Sequence, residues 1–119
     1  MDIPDAGYRH IGKCRSLESL VLMYCRETSD AATEQVTGLP LLRKYFASYT
    51  RITDRTPELL STMPTLESVT FDKCAGVTND GIRYLTRLPH LKELGISGQR
   101  ITGDVAAAFG NAVAVHYSL

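Results

Sequence analysis

The stretch LESVTFDKCAGVTNDGI, residues 66–82, decides the fold. Its first nine residues have counterparts at three other places in the chain: LESLVLMYC at 17–25, LRKYFASYT at 42–50 and LKELGISGQ at 91–99. These stretches start at positions 17, 42, 66 and 91, so the period alternates between 25 and 24 residues. Self-similarity at a period of this length is typical of a repeat protein.

Each repeat predicts a short strand followed by a helix. Apolar or small residues recur at offsets 0, 3 and 5, and offset 8 is Cys, Thr, Cys or Gln. Polar pairs such as Ser29-Asp30, Thr53-Asp54 and Thr78-Asn79 follow, and their side chains favour the start of a helix. A proline then ends each helix, because the residue before a proline avoids the helical conformation. These prolines are Pro40, Pro64 and Pro89.

The pattern resembles the cysteine-containing subclass of leucine-rich repeats. In that subclass a Cys near the strand end precedes a helix that opens as Val/Ile-Thr-Asp-x-Gly, and residues 74–82 are the closest copy. The resemblance implies an α/β fold, a short right-handed solenoid with a parallel sheet on its concave face and helices on its convex face. We expect one domain over 1–119, with units at about 5–29, 30–53, 54–78 and 79–102 and a partial unit at 103–119.

A narrower resemblance concerns the start of the chain. Asp5-Ala-Gly-Tyr8, Cys14, Leu17-Glu-Ser-Leu20 and Cys25 are similar to the coupling-factor-B group, subunit s of the mitochondrial ATP synthase. This resemblance implies an assembly or coupling factor on a mitochondrial complex. A third interpretation is a structural piece of a larger repeat protein.

Composition restricts the class of protein. Apolar residues make up 44% of the chain, which argues against disorder, and 13 Lys and Arg balance 13 Asp and Glu. That balance argues against a nucleic-acid-binding arm or a polybasic membrane anchor. No apolar run approaches the roughly 18 residues that span a bilayer. An odd number of cysteines, three, favours a reducing compartment and predicts a cytoplasmic protein, with the mitochondrion as the alternative.

No residue set predicts catalysis, a cofactor or a metal ion. His10, His90 and His116 fall in three different repeat columns, so no Ser-His-Asp or Cys-His set is expected. Cys14 shares a column with Leu39, Met63 and Leu88, and we interpret it as a small core residue. The Asp30, Asp54 and Asn79 column is interpreted as helix capping rather than as a metal site. We therefore expect a non-catalytic protein without a cofactor.

The concave face of the sheet is the predicted binding surface. Residues between the buried columns of each strand point to this face, because side chains alternate along a strand. Its apolar and aromatic members lie in the first two repeats, and we call them the apolar cluster: Val21, Met23, Tyr24, Phe46 and Tyr49. Aromatic residues and Met are enriched at protein interfaces. The expected partner is another protein, of unidentified kind.

The ends of the solenoid predict a second contact. A terminal repeat without a polar cap leaves core and strand edge uncovered. The final run, residues 113–119, is β-prone and has no proline or formally charged residue to protect an edge. We expect a homodimer through this edge, with its contacts at Val113, Val115, Tyr117 and Leu119. The alternatives are a monomer that its terminal residues shield and a dependence on a flanking segment.

Overall fold

The structure, a computed structural model, describes residues 8–23, 26–98 and 100–118, without the side chains of Tyr8, Met23 and Ser118. Five strands alternate with helical segments. The strands are β1 (Ser19–Met23), β2 (Lys44–Ser48), β3 (Ser68–Asp72), β4 (Glu93–Ser97) and β5 (Ala114–Ser118). The α-helices are α1 (Tyr8–Ile11), α2 (Asp30–Val36), α3 (Arg55–Leu60) and α4 (Asn79–Tyr84). A 3₁₀ turn at Leu85–Arg87 extends α4, and a 3₁₀ helix, Gly103–Phe109, precedes β5.

All five strands form one parallel sheet in chain order, β1-β2-β3-β4-β5. The register matches the predicted columns: Leu20 pairs with Tyr45, Tyr45 with Val69, and Val69 with Leu94. Parallel neighbours need a crossover connection, and here each crossover is one turn-and-helix segment of a repeat. The predicted parallel α/β architecture is therefore confirmed.

The core lies between the sheet and the helices. Strand residues at offsets 3 and 5 are buried, and so are Val36, Leu60 and Leu85 on the helical segments. Tyr45 and Phe71 meet in the centre, with ring centroids 6.0 Å apart and ring planes tilted by 57°. Helices of four to seven residues are marginal alone, so this packing holds them in place.

The predicted helix caps are present only in part, which corrects the capping interpretation. Ser29 accepts a hydrogen bond from the Ala31 N–H at 3.4 Å, and Thr53, just before α3, accepts one from the Arg55 N–H at 3.2 Å. Thr78 and Thr102 occupy cap positions without a side-chain cap bond. The side chains of Asp30, Asp54 and Asn79 instead accept hydrogen bonds from backbone N–H groups of the neighbouring repeat.

We name the three inter-repeat contacts of Asp30, Asp54 and Asn79 the Asp/Asn ladder. Asp30 accepts from the Thr53 N–H at 2.9 Å and from its hydroxyl at 2.5 Å. Asp54 accepts likewise from Thr78, at 2.7 and 2.6 Å. Asn79 accepts from the N–H of the next threonine at 3.0 Å and donates its amide to that hydroxyl at 2.8 Å. The ladder joins successive helix starts along one side of the solenoid.

Gly81 makes room for the ladder. A Cβ at this position would collide with the carboxylate of Asp54, which is held in place by its two bonds to Thr78. The glycine of the Val-Thr-Asn-Asp-Gly motif is thus explained by close approach of a neighbouring repeat rather than by an unusual φ angle.

Cys14 corrects a second prediction, because it is exposed rather than buried. Its column partners Leu39 and Met63 are each only 3% exposed. Cys14 belongs to the first unit, where no earlier unit within the described chain packs over it. Cys74 is buried as expected, with its sulfur 3.4 Å from the Thr50 hydroxyl, whereas Cys25 lies outside the described residues.

Candidate functional site

The candidate site is the concave face of the sheet, which is built from rows of side chains that cross the strands. The register aligns one central row, consisting of Val21, Phe46, Thr70, Gly95 and His116. Adjacent strands lie about 4.8 Å apart, so neighbours in a row are in side-chain contact distance. The face therefore changes from apolar at β1 and β2 to polar at β3, β4 and β5.

The apolar end contains three described members of the apolar cluster. Val21 is 56% exposed and Tyr49 is 39% exposed, and Phe46 is half-buried between them in chain order. Tyr24 and the side chain of Met23 lie outside the described residues. The structure thus places Val21, Phe46 and Tyr49 on or beside the same face; their use as a binding surface stays a prediction.

Two residues in the left-handed conformation end the strands beside this face. Tyr49 has φ 53° and Lys73 has φ 55°, values that L-residues rarely adopt. The Tyr49 N–H donates to the Asp72 carbonyl at 3.0 Å, and the Lys73 N–H donates to the Ser97 carbonyl at 3.0 Å. These bonds fix the turn after each strand and hold the exposed Tyr49 at the edge of the face.

A hollow of about 280 Å³ lies at the polar end of the face, and we name it the Asp72 hollow. Gly95 makes room for the Thr70 side chain, since a Cβ at this position would stand 2.9 Å from the Thr70 hydroxyl oxygen. The lining comes from four neighbouring strands: Phe46, Thr70, Phe71, Asp72, Gly95, Ile96, Ser97 and His116. The repeat pattern in the sequence does not predict this hollow. The feature of the sequence that marks the hollow is Gly95, at offset 4 of the fourth repeat, where the other repeats have Val, Phe and Thr.

The last residues of three strands, Ser48, Asp72 and Ser97, correct a third expectation. Alternation along the strands would place Ser48 and Ser97 on the concave face, yet each is only 2% exposed. They flank Asp72 in register, and the Ser97 hydroxyl donates to the Asp72 carboxylate at 2.5 Å. Within residues 8–23, 26–98 and 100–118, the buried hydroxyl oxygen of Ser48 has no hydrogen-bond partner. The row therefore holds a half-buried carboxylate between two buried serines.

Charged side chains alternate in sign along the column just before the strands, and we name Glu18, Arg43, Glu67 and Lys92 the charge column. Arg43 binds Glu67 at 2.7 Å and Glu18 at 3.4 Å, and Lys92 binds Glu67 at 3.2 Å. The hydrogen bonds from Arg43 and then Lys92 lower the pKa of Glu67 to about 2. A groove of about 490 Å³ lies beside this column, but its charged groups are already paired.

The described residues bring together no group of three or more His, Cys, Asp or Glu side chains that could hold a metal ion. His10, His90 and His116 lie on α1, in the turn before β4 and on β5, as their repeat columns predict. In the part of the chain that is described, none of the helices is both long and apolar enough to cross a bilayer.

Comparison with known proteins gives a likeness in fold alone. No protein-family model and no curated protein matches the chain. Among solved structures, leiomodin-1 actin-binding site 2 is similar, with a TM-score of 0.68 and 18% sequence identity. The match covers 98% of this chain and 78% of the leiomodin chain. The expected short solenoid of the leucine-rich-repeat type is thereby confirmed at the level of fold.

Proposed function

We propose that residues 1–119 act as one non-catalytic domain that binds a protein partner through the concave face. The observation that carries this proposal is the exposure of Val21 and Tyr49 beside half-buried Phe46 on the parallel sheet. Exposed aromatic and large aliphatic groups that are grouped together favour a protein interface.

The structural neighbour supports a protein as the partner. The leiomodin-1 chain is an actin-binding site, so a fold of this kind serves protein binding in that molecule. At 18% identity the likeness extends to the fold, and the partner of the present chain depends on its own surface residues.

Alanine substitutions in the apolar cluster test the proposal. Affinity purification with the wild-type chain identifies a partner, and binding is then measured for Phe46→Ala and Tyr49→Ala. We expect a loss of about 10- to 100-fold in affinity, or roughly 1–3 kcal/mol, for an interface anchor.

The matched control is Leu41→Ala, because Leu41 is 50% exposed but lies before β2, outside the concave face. It is expected to bind normally. Normal binding by both aromatic variants, with melting curves like that of the wild type, would contradict the proposal.

We further propose that the repeats belong to the cysteine-containing subclass, which the buried Cys74 beside Thr50 supports. A reducing compartment suits the exposed Cys14 thiol, and we propose the cytoplasm.

The alternative, an assembly or coupling factor on a mitochondrial complex, predicts enrichment in mitochondria on organelle fractionation. A structural piece of a larger repeat protein is the third candidate, and the length of the native gene product distinguishes it.

A further inference from the structure

Two strands end on large side chains that the backbone holds in an unfavourable conformation. Tyr49 has φ 53° and Lys73 has φ 55°, and within residues 8–23, 26–98 and 100–118 they are the two residues other than glycine with a positive φ. The left-handed conformation brings the Cβ of an L-residue too close to the following carbonyl oxygen. Glycine avoids this contact and asparagine tolerates it, whereas a bulky residue in this region is an outlier.

The position in the repeat, and not the residue, sets this conformation. Tyr49 and Lys73 both lie at offset 7 of their repeats, directly after β2 and β3. Each donates its N–H to the carbonyl of the last strand residue in the next repeat, at 3.0 Å. The fourth repeat has Gly98 at this offset, also with a positive φ. A glycine would donate the same backbone hydrogen bond without strain, so the turn itself requires neither Tyr nor Lys.

The two strained residues are neighbours at the edge of the proposed binding surface. They occupy the same offset on adjacent repeats, whose strands lie about 4.8 Å apart. Tyr49 is 39% exposed, and Lys73 is exposed as well. Phe46 of the apolar cluster lies three residues before Tyr49. Strained backbone is concentrated at functional sites, where the side chain that it presents is needed for function.

We propose that Tyr49 and Lys73, which we name the strained pair, are contact residues for the protein partner and are retained where glycine would suit the backbone better. The inference rests on the concave-face function proposed above. It adds Lys73, which is not a member of the apolar cluster, and extends the contact to the turn after β3. The strained pair thus favours binding and lowers the stability of the fold, a trade-off that binding sites often show.

Glycine substitution separates the effect of the backbone from that of the side chain. Tyr49→Gly and Lys73→Gly remove the Cβ and keep the N–H hydrogen bond, so each is expected to raise the melting temperature by about 2–5 °C. The controls are Arg51→Gly and Ala75→Gly, two residues further along the same turns, where φ is not positive. They are expected to lower the melting temperature, because glycine there only adds freedom to the unfolded chain.

Binding is measured with the protein that affinity purification with the wild-type chain identifies. Tyr49→Gly and Lys73→Gly are expected to weaken its binding by about five-fold or more, although both variants are more stable. Lys73→Asn, which suits the left-handed backbone but lacks the ammonium group, should weaken binding as well. Ala75→Gly makes the same turn more flexible without touching the strained pair, and its affinity should stay within about two-fold of the wild-type value.

The inference is overturned if Tyr49→Gly and Lys73→Gly lower the melting temperature as the controls do, since the two side chains would then serve the fold. Wild-type affinity in both Lys73→Gly and Lys73→Asn overturns it as well, because Lys73 would then lie outside the contact. The broader proposal fails differently, through normal binding by Phe46→Ala and Tyr49→Ala. If Phe46→Ala weakens binding and the Lys73 variants do not, the concave-face function stands and the strained pair is wrong.

Discussion

At the residue scale, short polar side chains hold the repeats together. Asp30 and Asp54 each accept two hydrogen bonds from a threonine of the next repeat, although the sequence pattern resembles a helix start. The same chemistry explains both the pattern and the error, because an Asx or Thr side chain satisfies any nearby unpaired N–H group. Local sequence does not reveal whether that group belongs to the same repeat or to the next.

Asp54→Ala is expected to reduce the free energy of unfolding by about 2 kcal/mol, because it leaves the part-buried Thr78 N–H and hydroxyl without their acceptor. Asp54→Asn should lose about 1 kcal/mol or less, since Asn79 shows that an amide can make both contacts. Urea unfolding measures both.

Asp80→Ala is the control, because Asp80 is exposed and forms only a surface ion pair with Arg83 at 2.9 Å. It should change the stability by less than about 0.5 kcal/mol. Equal losses for Asp54→Ala and Asp80→Ala would show that the ladder does not stabilise the fold.

Gly81→Ala should destabilise by about 1–3 kcal/mol, since its Cβ would collide with the Asp54 carboxylate. The same substitution should cost much less in an Asp54→Ala background, where the colliding group is gone. A double-mutant cycle in urea measures this coupling. Additive losses would contradict the proposed clash.

At the element scale, the strands align because each repeat presents its residues at the same offsets. The charge column shows this order on the surface, with Glu18, Arg43, Glu67 and Lys92 on four successive repeats. Like charges on neighbouring strands would repel, whereas this alternation attracts in the observed register. Register is thus favoured by the surface column as well as by the buried ones.

The change in the free energy of unfolding at acidic pH should depend on the ionisation of Glu67. Its pKa is about 2 in the folded chain, below the ordinary value of 4.5, because Arg43 and Lys92 bind the ionised form. A lowered folded pKa adds stability above pH 4.5, and that stability is lost as the pH falls from 4.5 towards 2.

Urea midpoints at pH 7, 4 and 2.5 compare the wild type with Glu67→Gln. We expect the difference between the two proteins to be largest at pH 7 and to shrink on acidification. Glu58→Gln, which loses a surface pair with Arg55 at 2.8 Å, serves as the control. A difference that is constant with pH would contradict the assigned cause.

At the scale of the whole molecule, much of the fold could be predicted from the sequence. Parallel order, register and core columns follow from residues repeated every 24 or 25 positions. The Asp72 hollow and the burial of Ser48 and Ser97 could not, because they depend on how neighbouring strands shield one another. Cys14 shows the same limit, since its exposure depends on its place in the stack and not on its column.

The ends of the stack predict self-association. β1 and β5 are the sheet edges, and Val113 and Val115 on the β5 side are half-buried. Tyr117 is 36% exposed, and its hydroxyl donates to the Ile101 carbonyl at 3.3 Å, while Leu119 lies outside the described residues. We expect a dimer at micromolar concentration by sedimentation, because an open edge pairs readily with another strand.

Val115→Lys should give a monomer, since a charge on the inward side of an edge strand opposes pairing. Ala114→Lys places the same charge on the exposed side of β5 and should remain dimeric. Circular dichroism checks that both variants fold. A monomeric wild-type chain would contradict the prediction.

The Asp/Asn ladder also determines how such a chain can change in length. Asp30 and Asp54 lie 24 positions apart, and each meets its threonine in the following repeat with nearly the same distances. A tandem duplication of residues 54–78 would therefore add a second Asp54 as acceptor and a second Thr78 as donor. The new hydrogen bonds would need no change in any other residue. Growth by whole repeats would widen the sheet by one strand and leave the rest of the ladder intact, so gene duplication could enlarge the face before any residue on it was altered.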